Sequence, residues 1–290
     1  MLMLEKTKVA FIGSGAMGGA MISGLLEQRL VAAADITAAD THAERCADVR
    51  ARFKVNATTD NCAAIKGANI VVLSVKPQVL QQVQQELTGQ LDANALVVSI
   101  IAGARLAGIA AGLGHGAVVR SMPNTPAQIG QGITVWTALP AVTAAQRGQT
   151  ELLLGALGQT VFVDDEDYLD MATALSGTGP AYVFYFMEAL IDAGVHMGFS
   201  RQIAEKLVVQ TVKGSAEYVL SSPHHLARLR NEVTSPGGTS AEALYYLDKA
   251  GFRTAVSRAV WAAYQRSTEL GSGRKRANPT GVPGDVSPDP

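Results

Sequence analysis

Short apolar runs alternate with helical spacing through the first half of the chain. Residues 9–12, 36–39, 70–75, 95–101 and 117–120 read as strands, and 133–136 and 161–163 follow later. Helical patterns separate most of them, such as residues 79–87 and the segment after Thr143, where Thr143 and Gln146 have the spacing of a capping box. Strand–helix alternation of this kind predicts an α/β fold with a parallel, doubly wound sheet. From about Asp164 the apolar spacing turns helical, as in Val183, Met187, Leu190 and Val195, then Ile203, Leu207, Thr211 and Val212. An all-helical second domain is expected there.

The first strand carries the first chemical signal. Val9-Ala-Phe-Ile12 runs into Gly13-Ser14-Gly15-Ala16-Met17-Gly18, and a helix-compatible segment follows at once. In such a strand–turn–helix unit Gly13 permits the tight turn, Gly15 lets backbone approach a pyrophosphate, and Gly18 lets helix and strand pack closely. The pyrophosphate then sits on unpaired N–H groups at the positive end of the helix. The expected division is a Rossmann-type dinucleotide-binding domain over 1–163, a helical domain over 164–271 and a disordered tail over 272–290.

Bulk properties narrow the class. The 290 residues suffice for two cores, and charged residues make up 17% against the roughly 25% of ordinary soluble domains. Much surface is therefore expected to be buried inside or between subunits. The net charge of −1, with no basic block before the tail, argues against a nucleic-acid or membrane partner. Cys46 and Cys62 have no metal or redox spacing and read as free thiols of a cytosolic protein. Residues 182–199 are the best membrane candidate, but Glu188, Asp192 and His196 interrupt them, so a buried helix is expected. The acids Asp164, Asp165, Glu166 and Asp167 suit a helix N-terminus; four in succession cannot all face one ion, so no metal is expected.

Further candidates lie at strand ends. Asp40 ends the second run, where an acid can accept from the adenosine ribose and disfavour a 2′-phosphate; His42 and Arg45 follow and can instead face a phosphate. Local chemistry leaves NADH and NADPH both open. Val75, Lys76 and Pro77 close one apolar strand and Ile101, Ala102 and Gly103 the next, at the edge that faces a cofactor crevice. Asn124, between Pro123 and Pro126, offers an amide either beside the nicotinamide or in a stiff connector. Ser176-Gly-Thr-Gly-Pro180 opens a long helix, with Pro180 suited to its first turn. Val233-Thr-Ser-Pro-Gly-Gly-Thr-Ser240 precedes another helix, expected over 241–249; glycines beside hydroxyls there form an N–H concavity for a carboxylate. The five histidines are isolated or in a polar connection, and no base for catalysis emerges. Hydride transfer to an already electrophilic carbon needs positioning more than a dedicated base.

Together and in this order, the motifs resemble the pyrroline-5-carboxylate reductase family. The matching segments are F-I-G-S-G-A-M-G-G-A-M from Phe11, S-V-K-P-Q at 74–78, V-V-R-S-M-P-N-T-P at 118–126, A-L-S-G-T-G-P-A-Y at 174–182 and V-T-S-P-G-G-T-S at 233–240. The likeness spans about 8–271. It implies that Ile12, Gly13, Ser14, Gly15, Ala16 and Met17 hold the pyrophosphate, with Gly18 completing the cofactor-binding turn, Asp40 by the adenosine ribose and Asn61 near the adenine. Val75-Lys76-Pro77, Ile101-Ala102-Gly103 and Asn124 would then line the ribose and nicotinamide. Ser235, Gly237, Gly238, Thr239 and Ser240 would bind the substrate's carboxylate and ring nitrogen. The resemblance further implies reduction of 1-pyrroline-5-carboxylate to L-proline by NADPH, with NADH possible. It implies a homodimer, sometimes built into a decamer, in which the substrate loop meets a cofactor across the dimer. Ser240 stands where threonine is common in the family.

Two rivals are weaker. A β-hydroxyacid dehydrogenase needs a lysine six residues after the first glycine of its second-domain motif, and counting from Gly177 lands on apolar Val183. A non-catalytic nucleotide-binding protein would show a damaged substrate loop beside an intact glycine turn, and both are intact.

Overall fold

Val9–Ile12 (β1) is apolar at every position, which suits a strand covered on both faces, and all of its residues are buried. The computed structural model describes residue 4 and residues 6–271. After β1 come Ala16–Glu27 (α1), Ile36–Ala39 (β2), Ala43–Phe53 (α2), Asn56–Thr58 (β3), Asn61–Ile65 (α3), Ile70–Leu73 (β4) and Leu80–Leu87 (α4). Leu96–Ser99 (β5), Leu106–Leu113 (α5), Val118–Met122 (β6), Gly132–Ala138 (β7), Ala144–Gly155 (α6) and Gly158–Phe162 (β8) complete the sheet. The helices Tyr168–Ala172 (α7), Gly179–His196 (α8), Arg201–Ser221 (α9), Leu226–Glu232 (α10), Thr239–Lys249 (α11) and Phe252–Gly271 (α12) follow. The expected tail, 272–290, lies outside the described residues.

The strands form one sheet in the order β3-β2-β1-β4-β5-β6-β7-β8. Alternation within each strand feeds two cores. Val9, Phe11, Ile36, Ile70 and Leu96 pack with Met21, Ile22 and Leu25 of α1 and Leu153 and Leu154 of α6. Ala10, Ile12, Val71, Leu73 and Val97 face the other way, against Ile65, Leu87, Ile109 and Leu113 of α3, α4 and α5. The order reverses between β1 and β4, and such a reversal opens a crevice beyond the strands' carboxyl ends.

The α/β class and the helical second half stand as expected, and Thr143 and Gln146 do form a capping box. The sheet departs from a wholly parallel reading. β7 runs antiparallel to β6, with Val119 opposite Ala138 and Met122 opposite Val135, because the nine residues between them, which include the 3₁₀ segment Thr125–Ile129, are too few for the crossover that a parallel neighbour needs. β3 was absent from the sequence reading; it is a polar edge strand pairing Thr37 with Asn56.

The described residues divide into two compact units, one running up to Gly177 and resuming at Ala263, the other Thr178–Ala262. In the second, α8 packs on α9, close enough that a Cβ on Gly194 would lie 3.1 Å from the Ala204 methyl. The expectation that 182–199 is a buried helix is corrected here. Only Ile191 and Gly194 of α8 are buried, while Phe184 is 57% and Tyr185 77% exposed. Apart from a polar stripe with Glu188 and Asp192, the helix is apolar over more of its circumference than α9 alone covers. No described helix is long and apolar enough to cross a membrane.

Candidate active site

The glycine turn closes on the end of β4. The hydroxyl of Ser74 donates to the Gly13 carbonyl at 2.5 Å and to that of Ile12 at 3.2 Å, while the Gly13 N–H donates to Ala39 at 2.9 Å. Gly13 has φ +96°, and a Cβ there would stand 2.7 Å from the Ser74 carbonyl oxygen. A Cβ on Gly18 would meet the Gly13 oxygen at 2.7 Å. Gly15 differs: nothing lies within 4 Å of the position its Cβ would take, so no protein neighbour requires a glycine there. That open space above the start of α1 is the approach a pyrophosphate needs. Helix α1 has no side-chain cap and no acid in its first turn, which leaves its first N–H groups for an anion. The residues fit a dinucleotide.

The turn opens into a cavity of ≈ 330 Å³ lined by Gly13, Gly15, Asp40, Asn61, Val75 and Lys76, among others. It lies at the β1/β4 reversal. Four of the expected cofactor positions, Asp40, Asn61, Val75 and Lys76, thus share one crevice with the glycine turn. Asn61 begins α3 and donates to Glu86 at 2.7 Å. Lys76 is exposed and precedes a single 3₁₀ turn that opens with Pro77.

Asp40, just past β2, is buried and heavily solvated by protein. Its Oδ1 accepts from the His42 N–H and Nδ1, both at 3.1 Å. Its Oδ2 accepts from the Ser14 N–H at 3.2 Å, the Ser14 hydroxyl at 3.1 Å and an Arg45 guanidinium nitrogen at 3.0 Å. Burial pushes the carboxyl up, but the donors from His42, Ser14 and Arg45 outweigh it and hold the carboxyl at about 2.

Other expected positions lie elsewhere. Ile101, Ala102 and Gly103 follow β5 but do not line this crevice. The side chain missing at Gly103 is accounted for by the end of α12, since a Cβ would lie 3.3 Å from Leu270 and 3.2 Å from Gly271. Asn124 uses both ends of its amide within the protein, donating to the Ser176 carbonyl at 3.2 Å and accepting from the Ile133 N–H at 3.0 Å. It braces the β6–β7 connection.

In the helical unit, Gly237 takes φ +69° and the Gly238 N–H donates to the Ser235 carbonyl at 3.0 Å, forming a tight turn. Helix α11 begins at Thr239, two residues before the expected 241, so Thr239 and Ser240 occupy its first turn. No side chain caps it. The first N–H groups of the helix, beside two hydroxyls, form an anion-receptive end.

A buried ionic network was not foreseen. Arg120 of β6, 2% exposed, donates to Glu166 at 2.9 Å and to Asp170 at 3.1 Å. Asp170 also accepts from Arg105 at 3.2 Å and from the Ser267 hydroxyl at 2.8 Å. The acid run therefore serves arginines more than a helix end; α7 has no side-chain cap from it. The available signal was an arginine inside an otherwise apolar strand.

Comparison with known proteins joins these halves. Residues 166–270 match the family model described as pyrroline-5-carboxylate reductase dimerisation, and 8–103 match that of NADP oxidoreductase coenzyme F420-dependent. A pyrroline-5-carboxylate reductase of Pseudomonas aeruginosa is 44% identical over 268 residues, covering 92% of this chain and 98% of the relative. Among solved structures, such a reductase from Coxiella burnetii superposes with a TM-score of 0.85 at 34% identity, over 92% of this chain and 99% of that one. The Plasmodium falciparum enzyme with NADP bound gives 0.84 at 31% identity, over 92% and 99%. Identity of this order across both the glycine turn and the helical half means that the chain belongs to the pyrroline-5-carboxylate reductase family.

Proposed function

We infer that the chain reduces 1-pyrroline-5-carboxylate to L-proline with NAD(P)H, the last step of proline synthesis. The observation that carries this is the 44% identity running through both units, so that the dinucleotide turn and the 233–240 turn come together from one family. The substrate is a cyclic imine whose protonated nitrogen makes C5 electrophilic. A nicotinamide, when bound, supplies a hydride to that carbon, and the C=N bond becomes the C–N bond of proline.

The chain's own residues then position and hold. Residues 12–18 take the pyrophosphate, Asp40 and Asn61 lie at the adenosine end, and Val75, Lys76 and Pro77 flank the ribose. Ile101, Ala102, Gly103 and Asn124 shape the nicotinamide end, in Asn124's case by bracing the loop. Ser235, Gly237, Gly238 and the first N–H groups of α11 hold the substrate carboxylate. The Ser240 hydroxyl, with Thr239 beside it, accepts a hydrogen bond from the protonated ring nitrogen and keeps the imine charged. No general base is required, because the carbon is activated before the reaction begins.

The assembly belongs to the proposal. Within the helical unit a groove of ≈ 640 Å³ is lined by Tyr182, Val183, Tyr185, Phe186, Phe252 and Val256, an apolar surface suited to a second copy. We place the enzyme in the cytosol as a homodimer, able to build to a decamer, in which the carboxylate-holding turn of one subunit serves the cofactor of its partner.

The test is the loss of reduced-nicotinamide absorbance with pyrroline-5-carboxylate, with NADPH and NADH in parallel. Imine-dependent oxidation is expected with at least one, and none with either from folded oligomer overturns the reading. Ser240→Ala should lower turnover per active site by about 10-fold or more, the worth of one hydrogen bond to a charged group. Unchanged turnover removes Ser240 from the mechanism.

A further inference from the structure

The turn that follows β5 stands one strand away from Val75 and Lys76, because β5 pairs with β4 and the Ile100 N–H donates to the Leu73 carbonyl at 3.0 Å. Its own closure is slight. One hydrogen bond spans it, from the Ala104 N–H to the Ile101 carbonyl at 3.3 Å, with Gly103 at φ +74°. What holds it comes from far along the chain. Gly103 rests against Leu270 and Gly271 at the end of α12. Arg105 reaches Asp167 at 2.5 Å and Asp170 at 3.2 Å, and the Leu106 N–H, the first of α5, donates to Glu166 at 2.8 Å. Asp170 also accepts from Ser267 of α12 and from Arg120 of β6. A single buried carboxylate thus joins both supports of the turn, the arginine beside it and the helix behind it.

Charge is a costly way to fill an interior. A well-packed apolar set of equal volume is often as stable as a buried ion pair, or more so, whereas charge-assisted hydrogen bonds fix direction as well as contact. Arg120 and Asp170 are 2% and 1% exposed, in a sheet unit whose cores are otherwise apolar. Alignment is therefore what this network adds. We propose that Asp170 is a positioning residue for the hydride step. Through Arg105 and Ser267 it fixes the 101–104 turn, and with it the nicotinamide that lies against that turn. The inference rests on the reading that Ile101, Ala102 and Gly103 shape the nicotinamide end of the reductase site.

Arg105→Gln cuts one tie at a partly exposed side chain, and Ser267→Ala cuts the other while keeping a good helix former. The fluorescence of the reduced nicotinamide in NADPH bound to the full chain reads the result without turnover. Wild type should brighten it relative to free NADPH by holding the ring still. Both variants should lose most of that gain, while affinity for ADP, which has no nicotinamide, changes by less than about twofold. With pyrroline-5-carboxylate, kcat should fall about 10-fold or more in Arg105→Gln with the KM for the imine little changed, since a misplacement of about 1 Å can cost on the order of 100-fold. NADPH deuterated at C4 should then show a larger isotope effect on kcat than in wild type. No gain in wild type, or the same gain in folded variants, overturns the proposal, even where Tm falls. So does a loss of ADP affinity as large as the loss of kcat, because the whole crevice would then have moved. If Arg105→Gln does not fold, Ser267→Ala decides alone. Fluorescence lost in the variants of a chain that never oxidises NADPH with the imine refutes only the reductase reading.

Discussion

Neighbouring glycines of the dinucleotide turn should respond in opposite ways to the same added methyl. In Gly18→Ala the Cβ would stand 2.7 Å from the Gly13 oxygen and 3.0 Å from the Ser74 hydroxyl. Neither can retreat, because that hydroxyl and that oxygen are already hydrogen-bonded at 2.5 Å. Overpacking of this kind costs about 1–3 kcal/mol, against roughly 1 kcal/mol gained by alanine inside a helix. The net is a loss of up to about 2 kcal/mol, which lowers Tm by up to a few degrees in a chain of this size. At Gly19 the Cβ meets only a Phe53 ring carbon at 3.9 Å, so Gly19→Ala keeps the helix gain and should raise Tm by about 1–3 °C.

Gly15→Ala isolates the cofactor. Its Cβ has open space, and Gly15 is the N-cap of α1, where alanine costs less than about 1 kcal/mol relative to glycine. The methyl instead fills the space that the pyrophosphate approaches, so NADPH affinity should fall at least ~10-fold, the loss of one charge-assisted hydrogen bond. Thermal melts and calorimetric NADPH titrations of the three variants read both quantities. Equal Tm shifts at Gly18 and Gly19, or wild-type NADPH affinity in Gly15→Ala, would refute the assignment of separate tasks to these glycines.

Arg120→Met should lose about 3–5 kcal/mol in urea unfolding, because it strands Glu166 and Asp170 without their buried cation; a loss under about 1 kcal/mol refutes that. The Asp40 carboxyl sits at about 2 against an ordinary 3.8, so its folded-state pKa is depressed and its contribution is full above about pH 4. That contribution, roughly 2 kcal/mol, should disappear as pH falls from 4 to 2 in urea midpoints, and Asp40→Asn should flatten this limb. The Thr134 hydroxyl is buried without a hydrogen-bond partner among the described residues, so Thr134→Val should leave stability unchanged or raise it by up to about 2 kcal/mol. A clear loss in thermal melts would mean that the hydroxyl is satisfied in solution.

Much of the sheet was legible because burial on both faces leaves its mark as an unbroken apolar run. Residues 9–12 are such a run and form β1 at those bounds. The same rule hides β3, whose Asn56, Ala57 and Thr58 lie at an edge and bury little. It is also silent on direction, since an apolar run has the same appearance parallel or antiparallel; β7 is set by its short connection instead. In the site, spacing alone separated the tasks of Gly13, Gly15 and Gly18, and their surroundings differ accordingly. It could not separate them from Gly103, whose small size answers the end of α12, a contact remote in sequence. Nor could it show that Asn124 has both ends of its amide occupied, or that Arg120 meets acids far along the chain.

The two halves of the chain differ in how complete they are. The sheet unit closes its cores, with β1, β4 and β5 fully buried and the helices of both faces contributing. Its polar interior is matched charge to charge around Asp170. The helical unit has no equivalent closure: Ile191, Ala204 and Leu229 are its buried hydrophobics, while Phe184, Tyr185, Leu207, Tyr246 and Trp261 are each at least half exposed. Burying a side chain of that kind is worth about 1.5–3 kcal/mol, so the exposed surface is a large unused driving force. That imbalance has a chemical use. A dinucleotide crevice can be finished within the sheet unit, because the strand ends and the helices beside them line it. A small cyclic imine offers only a carboxylate and a ring to hold, and it must be shut away from water on all sides. In the proposed homodimer the exposed helical surface would supply that enclosure as it completes its own core.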